Sequence, residues 1–155
     1  MAFLLERDAL NGKQGTAIAT INGENHTLFG AKKIQTDAEF QESDFKVIGT
    51  TLVQKKTTGV NLTGSMTIYY GTPLFIKMVQ DYIKTGKVTF FDLQVENDDP
   101  STSVGKQTVV YYNCKLNKVP LSILDADSDF LEEEVGFSYT NIEVLNWFTD
   151  PANLG

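Results

Sequence analysis

A single cysteine, Cys114, stands in 155 residues, so an internal disulfide is excluded and the chain suits a reducing cytoplasm. Cys114 falls in phase with Val110, Tyr112 and Leu116, and no histidine or second thiol is near it in sequence, which makes it a small buried hydrophobe. There is also only one histidine, His26, beside a turn, and no serine or cysteine with a companion aspartate is spaced to complete a triad with it. Basic residues are outnumbered, 13 against 20 acidic, for a formal charge of −7. That balance argues against gripping nucleic acid through its phosphates, but not against a surface past which DNA slides, since acidic groups repel phosphate. No apolar run approaches the length of a membrane-crossing helix, so membrane insertion is not expected. Met1 to Leu5 is apolar, but it lacks a basic leader and is followed by Glu6 and Asp8, unlike a signal peptide. The length suits one domain over 1–155, able to bury roughly 70% of its unfolded surface.

What is present is strand and turn patterning. Apolar Val60, Leu62, Met66, Ile68 and Tyr70 alternate with polar Asn61, Thr63, Ser65 and Thr67, the period of a strand with one wet face. A helix is expected directly after it. Thr72 suits its cap, Pro73 its first position and Gly86 the left-handed residue past its end. Leu74, Phe75, Met78, Val79, Tyr82 and Ile83 recur on one face of that helix, which predicts a single buried stripe. Two strands meet at Asn22-Gly23, the dipeptide best suited to a tight hairpin turn. The second of them is expected to run on through Ile34 to Phe40, with Gln35, Asp37 and Glu39 on a wet face. Further strands are expected at 87–96, 106–116, 118–124 and 134–144, with a bulge near Asn141 where the apolar phase slips. The sum is a mainly β fold, a β-sandwich or barrel of about seven strands with one packed α-helix.

Residues 41–58 fit this scheme least. Phe45, Val47, Ile48, Gly49, Leu52 and Val53 make an apolar segment without clean alternation, expected to project as a loop whose hydrophobic residues have no partner within one small domain. Other motifs point to structure rather than chemistry. Gly12-Lys13-Gln14-Gly15-Thr16 lacks the spacing of a phosphate-binding loop and reads as a turn. Asp125, Asp127 and Asp129 match three ligand positions of a calcium loop, but Phe130 replaces the required glycine and Gly136 the closing glutamate. They read as turn residues. No metal, cofactor or catalytic residue is assigned.

The structural residues also carry a resemblance. Lys56-Thr57-Thr58-Gly59, Asn61, Thr63-Gly64, Thr67, Tyr69, Thr72, Phe75, Asp81-Tyr82, Lys84 and Gly86 resemble the tail tube proteins of contractile phage tails, in particular those of PBSX-like defective prophages. Asn11 to Gly15 with Asn22-Gly23-Glu24, and the acidic stretch Leu124 to Phe137, resemble the beginning and the C-terminal strand of the same family. The resemblance implies hexameric rings, stacked as an inner tube for DNA ejection inside a sheath. It implies tape-measure and baseplate partners, with assembly in the host cytoplasm before incorporation into a virion or phage-like particle. Phe45, Val47, Ile48, Gly49, Leu52 and Val53 become candidates for contact between subunits. Gln35, Asp37, Glu39, Asn61, Thr63, Ser65 and Thr67 become candidates for the lumen. Two alternatives stand beside this reading. One is the tube of a DNA-free bacteriocin or secretion needle; the other is a β-barrel binding a small ligand, which would need an apolar cavity.

Overall fold

The computed structural model describes residues 6–8, 10, 12, 15–27, 31–70 and 73–150. Asn22 and Gly23 adopt positive φ, 52° and 81°, and close a two-residue turn between β1 (Gly15–Ile21) and β2 (Glu24–Thr27). Positive φ at both central positions matches the twist of the flanking strands, so the dipeptide sets the register Ile21↔Glu24. β3 (Ala31–Phe45) and β4 (Gln54–Tyr69) then form a long antiparallel hairpin, followed by α1 (Leu74–Thr85). β5 (Phe91–Asp98), β6 (Lys106–Lys118), β7 (Glu132–Ser138) and β8 (Asn141–Asn146) complete the order. Eight strands therefore stand where about seven were expected. The expected strand at 118–124 is absent as such, because β6 runs to Lys118 and the chain is irregular through Leu131.

The strands run β2-β1-β5-β6-β7-β4-β3, with β8 also paired to β6. β6 belongs to two layers: its first part pairs β5 and β8, and Lys115 to Lys118 pairs β7. The strand turns this corner at Asn113, whose φ of 55° is tolerated by asparagine. The Asp92 carboxylate accepts the Asn113 N–H at 3.2 Å, and the Asn113 amide donates to Thr140 Oγ1 at 3.2 Å. Opposite that corner the chain crosses from β7 to β8 through Tyr139 and Thr140. This crossing between layers explains the slip in apolar phase that suggested a bulge near Asn141.

Between the layers lies one core. Ala19 and Ile21 of β1, Phe91 and Leu93 of β5, and Tyr111 and Cys114 of β6 meet Met66 and Ile68 of β4, Val135 and Phe137 of β7, and Phe75 and Met78 of α1. Burying each large side chain here stabilises the fold by roughly 1.5–3 kcal/mol. Two tyrosines tie β3 to the opposite strands. The Tyr111 hydroxyl lies 2.7 Å from Thr36 Oγ1, and the Tyr139 hydroxyl donates to the Asp37 carbonyl at 3.2 Å. Gly64 faces Phe137 across the β4–β7 pair, and a Cβ there would sit 2.6 Å from the ring, so the glycine makes room for the aromatic side chain.

α1 ends as expected at Gly86, with φ 73° and its N–H on the Tyr82 carbonyl at 2.7 Å. Its start differs slightly: Pro73 occupies the cap position and Leu74 is the first helical residue, while Thr72 lies outside the described residues. The apolar stripe is only half covered. Phe75 and Met78 are buried, but Tyr82 and Ile83 are 51% and 73% exposed. Helical periodicity marks the face a helix can bury; it carries no information about how far the neighbouring layer extends. Among the described residues, no helix is long and apolar enough to cross a membrane.

Candidate assembly surfaces

Antiparallel pairing turns the alternation of β3 and β4 into a surface. The register sets Gln35 opposite Ser65, Asp37 opposite Thr63 and Glu39 opposite Asn61, with Thr67 opposite Lys33. Directly opposed residues share a face, so all seven residues named as lumen candidates lie on one side of the hairpin. Ile34, Met66 and Ile68 point the other way, into the core or against it. The polar face continues onto β7, where Thr63 opposes Ser138, Ser65 opposes Gly136 and Thr67 opposes Glu134.

Outward along the same two strands the environment changes. β7 pairs β4 only from Thr63 to Tyr69, whereas β3 follows β4 as far as Phe45↔Gln54. Seven residues of β3 beyond Ala38 therefore form a two-stranded ribbon, projecting roughly 20–25 Å at about 3.3 Å per residue. Much of the segment expected as a loop is thus paired strand, and the turn itself spans only 46–53. Phe45, Val47, Leu52 and Val53 are all exposed, Ile48 almost completely, and Gly49 turns the tip with φ 99°. Phe40 and Val60, directly opposed, continue the core stripe out onto the ribbon and are 65% and 45% exposed. The sequence reading missed this pair, although Phe40 was visible as the last apolar member of the Ile34–Phe40 alternation.

Strand edges add to the picture. Among the described residues β3 pairs only β4, β2 only β1 and β8 only β6, so each leaves one row of backbone donors and acceptors open. The row on β3 is fifteen residues long. An edge of that length is a ready template for another strand.

The remaining motifs behave structurally. Cys114 is buried, and burial with Asp92 nearby pushes its thiol up to about 12. The Asp125 carboxylate accepts the Asp127 N–H at 3.1 Å, making a local turn, and among the described residues no three metal-ligating side chains converge. Lys13 and Gln14 lie outside the described residues. His26 is 3.9 Å from Glu24 and, with Thr27, Pro73, Leu74 and Lys77, lines an open groove of about 290 Å³. One core residue has no sequence signal. Glu133, set opposite Ile68, is fully buried, and neither carboxylate oxygen has a hydrogen-bond partner among the described residues. Burial raises its pKa above the ordinary carboxylate range.

A mainly β body with one helix, a polar sheet face and an exposed apolar ribbon fits a structural protein of phage tails. The chain belongs to the phage tail tube protein family, whose model matches residues 2–146. It is 31% identical over 147 residues to the phage-like element PBSX protein XkdM of Bacillus subtilis strain 168, covering 95% of this chain and 97% of that one. Its fold is similar to a chain of the anti-feeding prophage baseplate solved with 6-fold symmetry, at a TM-score of 0.65, 10% identity and coverage of 89% and 96%. It is also similar to a chain of the sheath-tube complex of an extracellular contractile injection system, PVC, at a TM-score of 0.61, 13% identity and coverage of 88% and 90%.

Proposed function

We propose that six copies of this chain close into a ring, and that the rings stack into the hollow inner tube of a contractile phage tail. The six-fold symmetry of the baseplate with a similar chain supports the ring count. The observation that carries the reading is the register of β3 and β4. It gathers Gln35, Asp37, Glu39, Asn61, Thr63, Ser65 and Thr67 on one wet face opposite the core. Turned toward a bore, that face weakens the hold on DNA, because its seven hydroxyl, amide and carboxylate side chains offer phosphate no cationic anchor and Lys33, opposite Thr67, is the one cation beside them in the β3–β4 pairing. The open edge of β3 pairs with a neighbour and so loses its hazard. Phe45, Val47, Ile48, Gly49, Leu52 and Val53 at the ribbon tip reach another subunit. Head-to-tail contacts can both close rings and run on as filaments.

The outer side of the tube then meets the sheath, its ends meet the baseplate, and the tape-measure protein occupies the bore before ejection. Assembly takes place in the host cytoplasm and the product resides in the tail. A tube that carries no DNA is the second reading, favoured by the similarity to the contractile injection system. Nuclease-protected DNA in purified particles separates the two.

Negative-stain microscopy of concentrated protein tests the main proposal, with annuli or hollow rods as the expected result. Val47→Asp and Ile48→Asp are expected to leave the monomer folded and to stop tube growth. Normal tubes from both variants would remove the ribbon tip from the contact. An assembled tube with Thr63 and Thr67 against the sheath would reverse the assignment of the faces.

A further inference from the structure

β4 has an uncovered apolar surface at each end. At its start is the ribbon tip. At its finish, about 50 Å away at 3.3 Å per residue, Tyr69 stands half exposed with the Phe130 ring edge-on to it, centroids 6.4 Å apart. Phe130 belongs to the irregular segment 119–131, which also exposes Leu121 and almost the whole of Leu124. The Tyr70 N–H donates to the Leu131 carbonyl at 2.8 Å, and this bond holds the segment to the end of β4. A thirteen-residue stretch without regular structure is long for a compact domain, and such stretches commonly bind something.

The two ends also differ in charge. Segment 119–131 carries Asp125, Asp127 and Asp129 and no basic residue. At the ribbon tip Lys55 pairs with Asp44 at 3.0 Å, while Lys46 and Lys56 form no ion pair among the described residues. Another uncovered apolar patch, Tyr82, Ile83, Val88 and Phe90, has Lys84 and Lys87 in its segment and would repel those lysines.

From these observations we infer that the ribbon tip of one copy seats on the Tyr69–Leu124–Phe130 surface of the next copy along the tube. Ile48 and Leu52 supply apolar cover there, and Lys46 and Lys56 face the three aspartates. This rests on the tube reading and names the surface that receives the arm. Because donor and acceptor surfaces lie at opposite ends of one strand, the contact does not close on itself. It repeats from ring to ring. The aspartates that resemble part of a calcium loop thereby gain a role that requires no metal.

The test is disulfide trapping in assembled protein. Mixing Ile48→Cys protein with Leu124→Cys protein is expected to give cross-linked dimers, and a chain bearing both substitutions a ladder of higher multiples. Ile48→Cys mixed with Ile83→Cys is expected to give none. In parallel, Lys46→Asp with Lys56→Asp should cut the sedimentable fraction about tenfold, the effect of roughly 1.4 kcal/mol at a contact. Adding Asp125→Lys and Asp127→Lys should restore it. Rods that form normally yet trap Ile48 on Ile83, or show no rescue, would overturn this inference and leave the tube reading intact. Unmodified protein that never assembles would overturn both.

Discussion

The inner and outer halves of the β3–β4 hairpin are the same two strands in different surroundings. From Ala31 to Ala38, β3 pairs the part of β4 that is itself held by β7, and one face of the pair closes the core. From Glu39 to Phe45 the ladder continues, but β7 is gone and Phe40, Phe45 and Val60 lie open to solvent. An isolated two-stranded ribbon is marginal in water. The inner half thus belongs to the monomer's stability, while the outer half's apolar residues are left uncovered by their own chain.

Five substitutions sharpen or break that contrast. The largest effect is expected at the inner half's core, where Phe137→Ala should cost about 3–5 kcal/mol in chemical denaturation by leaving a cavity beneath Gly64. Next come two glycines of β4. Gly64→Val drives a side chain into the Phe137 ring and should cost about 1–3 kcal/mol. Gly59→Ala, on the ribbon, meets only the Gln41 amide oxygen at 3.4 Å and should change stability by less than about 0.5 kcal/mol. Equal costs at the two positions would mean that the ribbon is as tightly packed as the body.

Glu133 extends the comparison to charge. Glu133→Met removes two unpaired buried oxygens and should stabilise the monomer by about 1–3 kcal/mol. Its pH dependence has a definite sign. The folded state holds the proton to higher pH than the unfolded state does, so the stability of the natural chain falls as pH rises from 4.5 through the raised folded value. Denaturation curves of Glu133→Met should lack that decline. An unchanged pH profile would show that Glu133 is solvated in solution. The smallest monomer effect is at the tip. Ile48→Asp should shift thermal unfolding by no more than about 0.5 kcal/mol while rods disappear.

How much of this was legible depended on whether one face of an element is buried. Val60 to Tyr70 alternates because β4 has a core side and a wet side, and that alternation, together with Asn22-Gly23 and Gly86, placed a hairpin turn, a strand and a helix end. Gln41 to Phe45 and Gln54 to Thr58 show no such rhythm, because neither side of the ribbon is buried by its own chain. The segment therefore read as a loop although it is mostly paired. The corner at Asn113 and the crossing at Thr140 depend on contacts between distant segments, and local periodicity does not encode those. Glu133 is the middle one of three consecutive glutamates, and only the Ile68↔Glu133 register shows that it points inward. Of the candidate surfaces, the polar face and the apolar tip were visible as residue types. The segment 119–131, proposed to receive the tip, was hidden behind the resemblance of its aspartates to a metal loop.

The sealed state of Cys114 reaches beyond the single subunit. With its thiol pushed up to about 12 by burial, Cys114 stays protonated at neutral pH and carries almost none of the reactive thiolate. A thiol so placed gives a second chain no sulfur to attack, so oxygen alone would not couple two molecules through it. Contacts between such chains would then answer to geometry and water rather than to redox history.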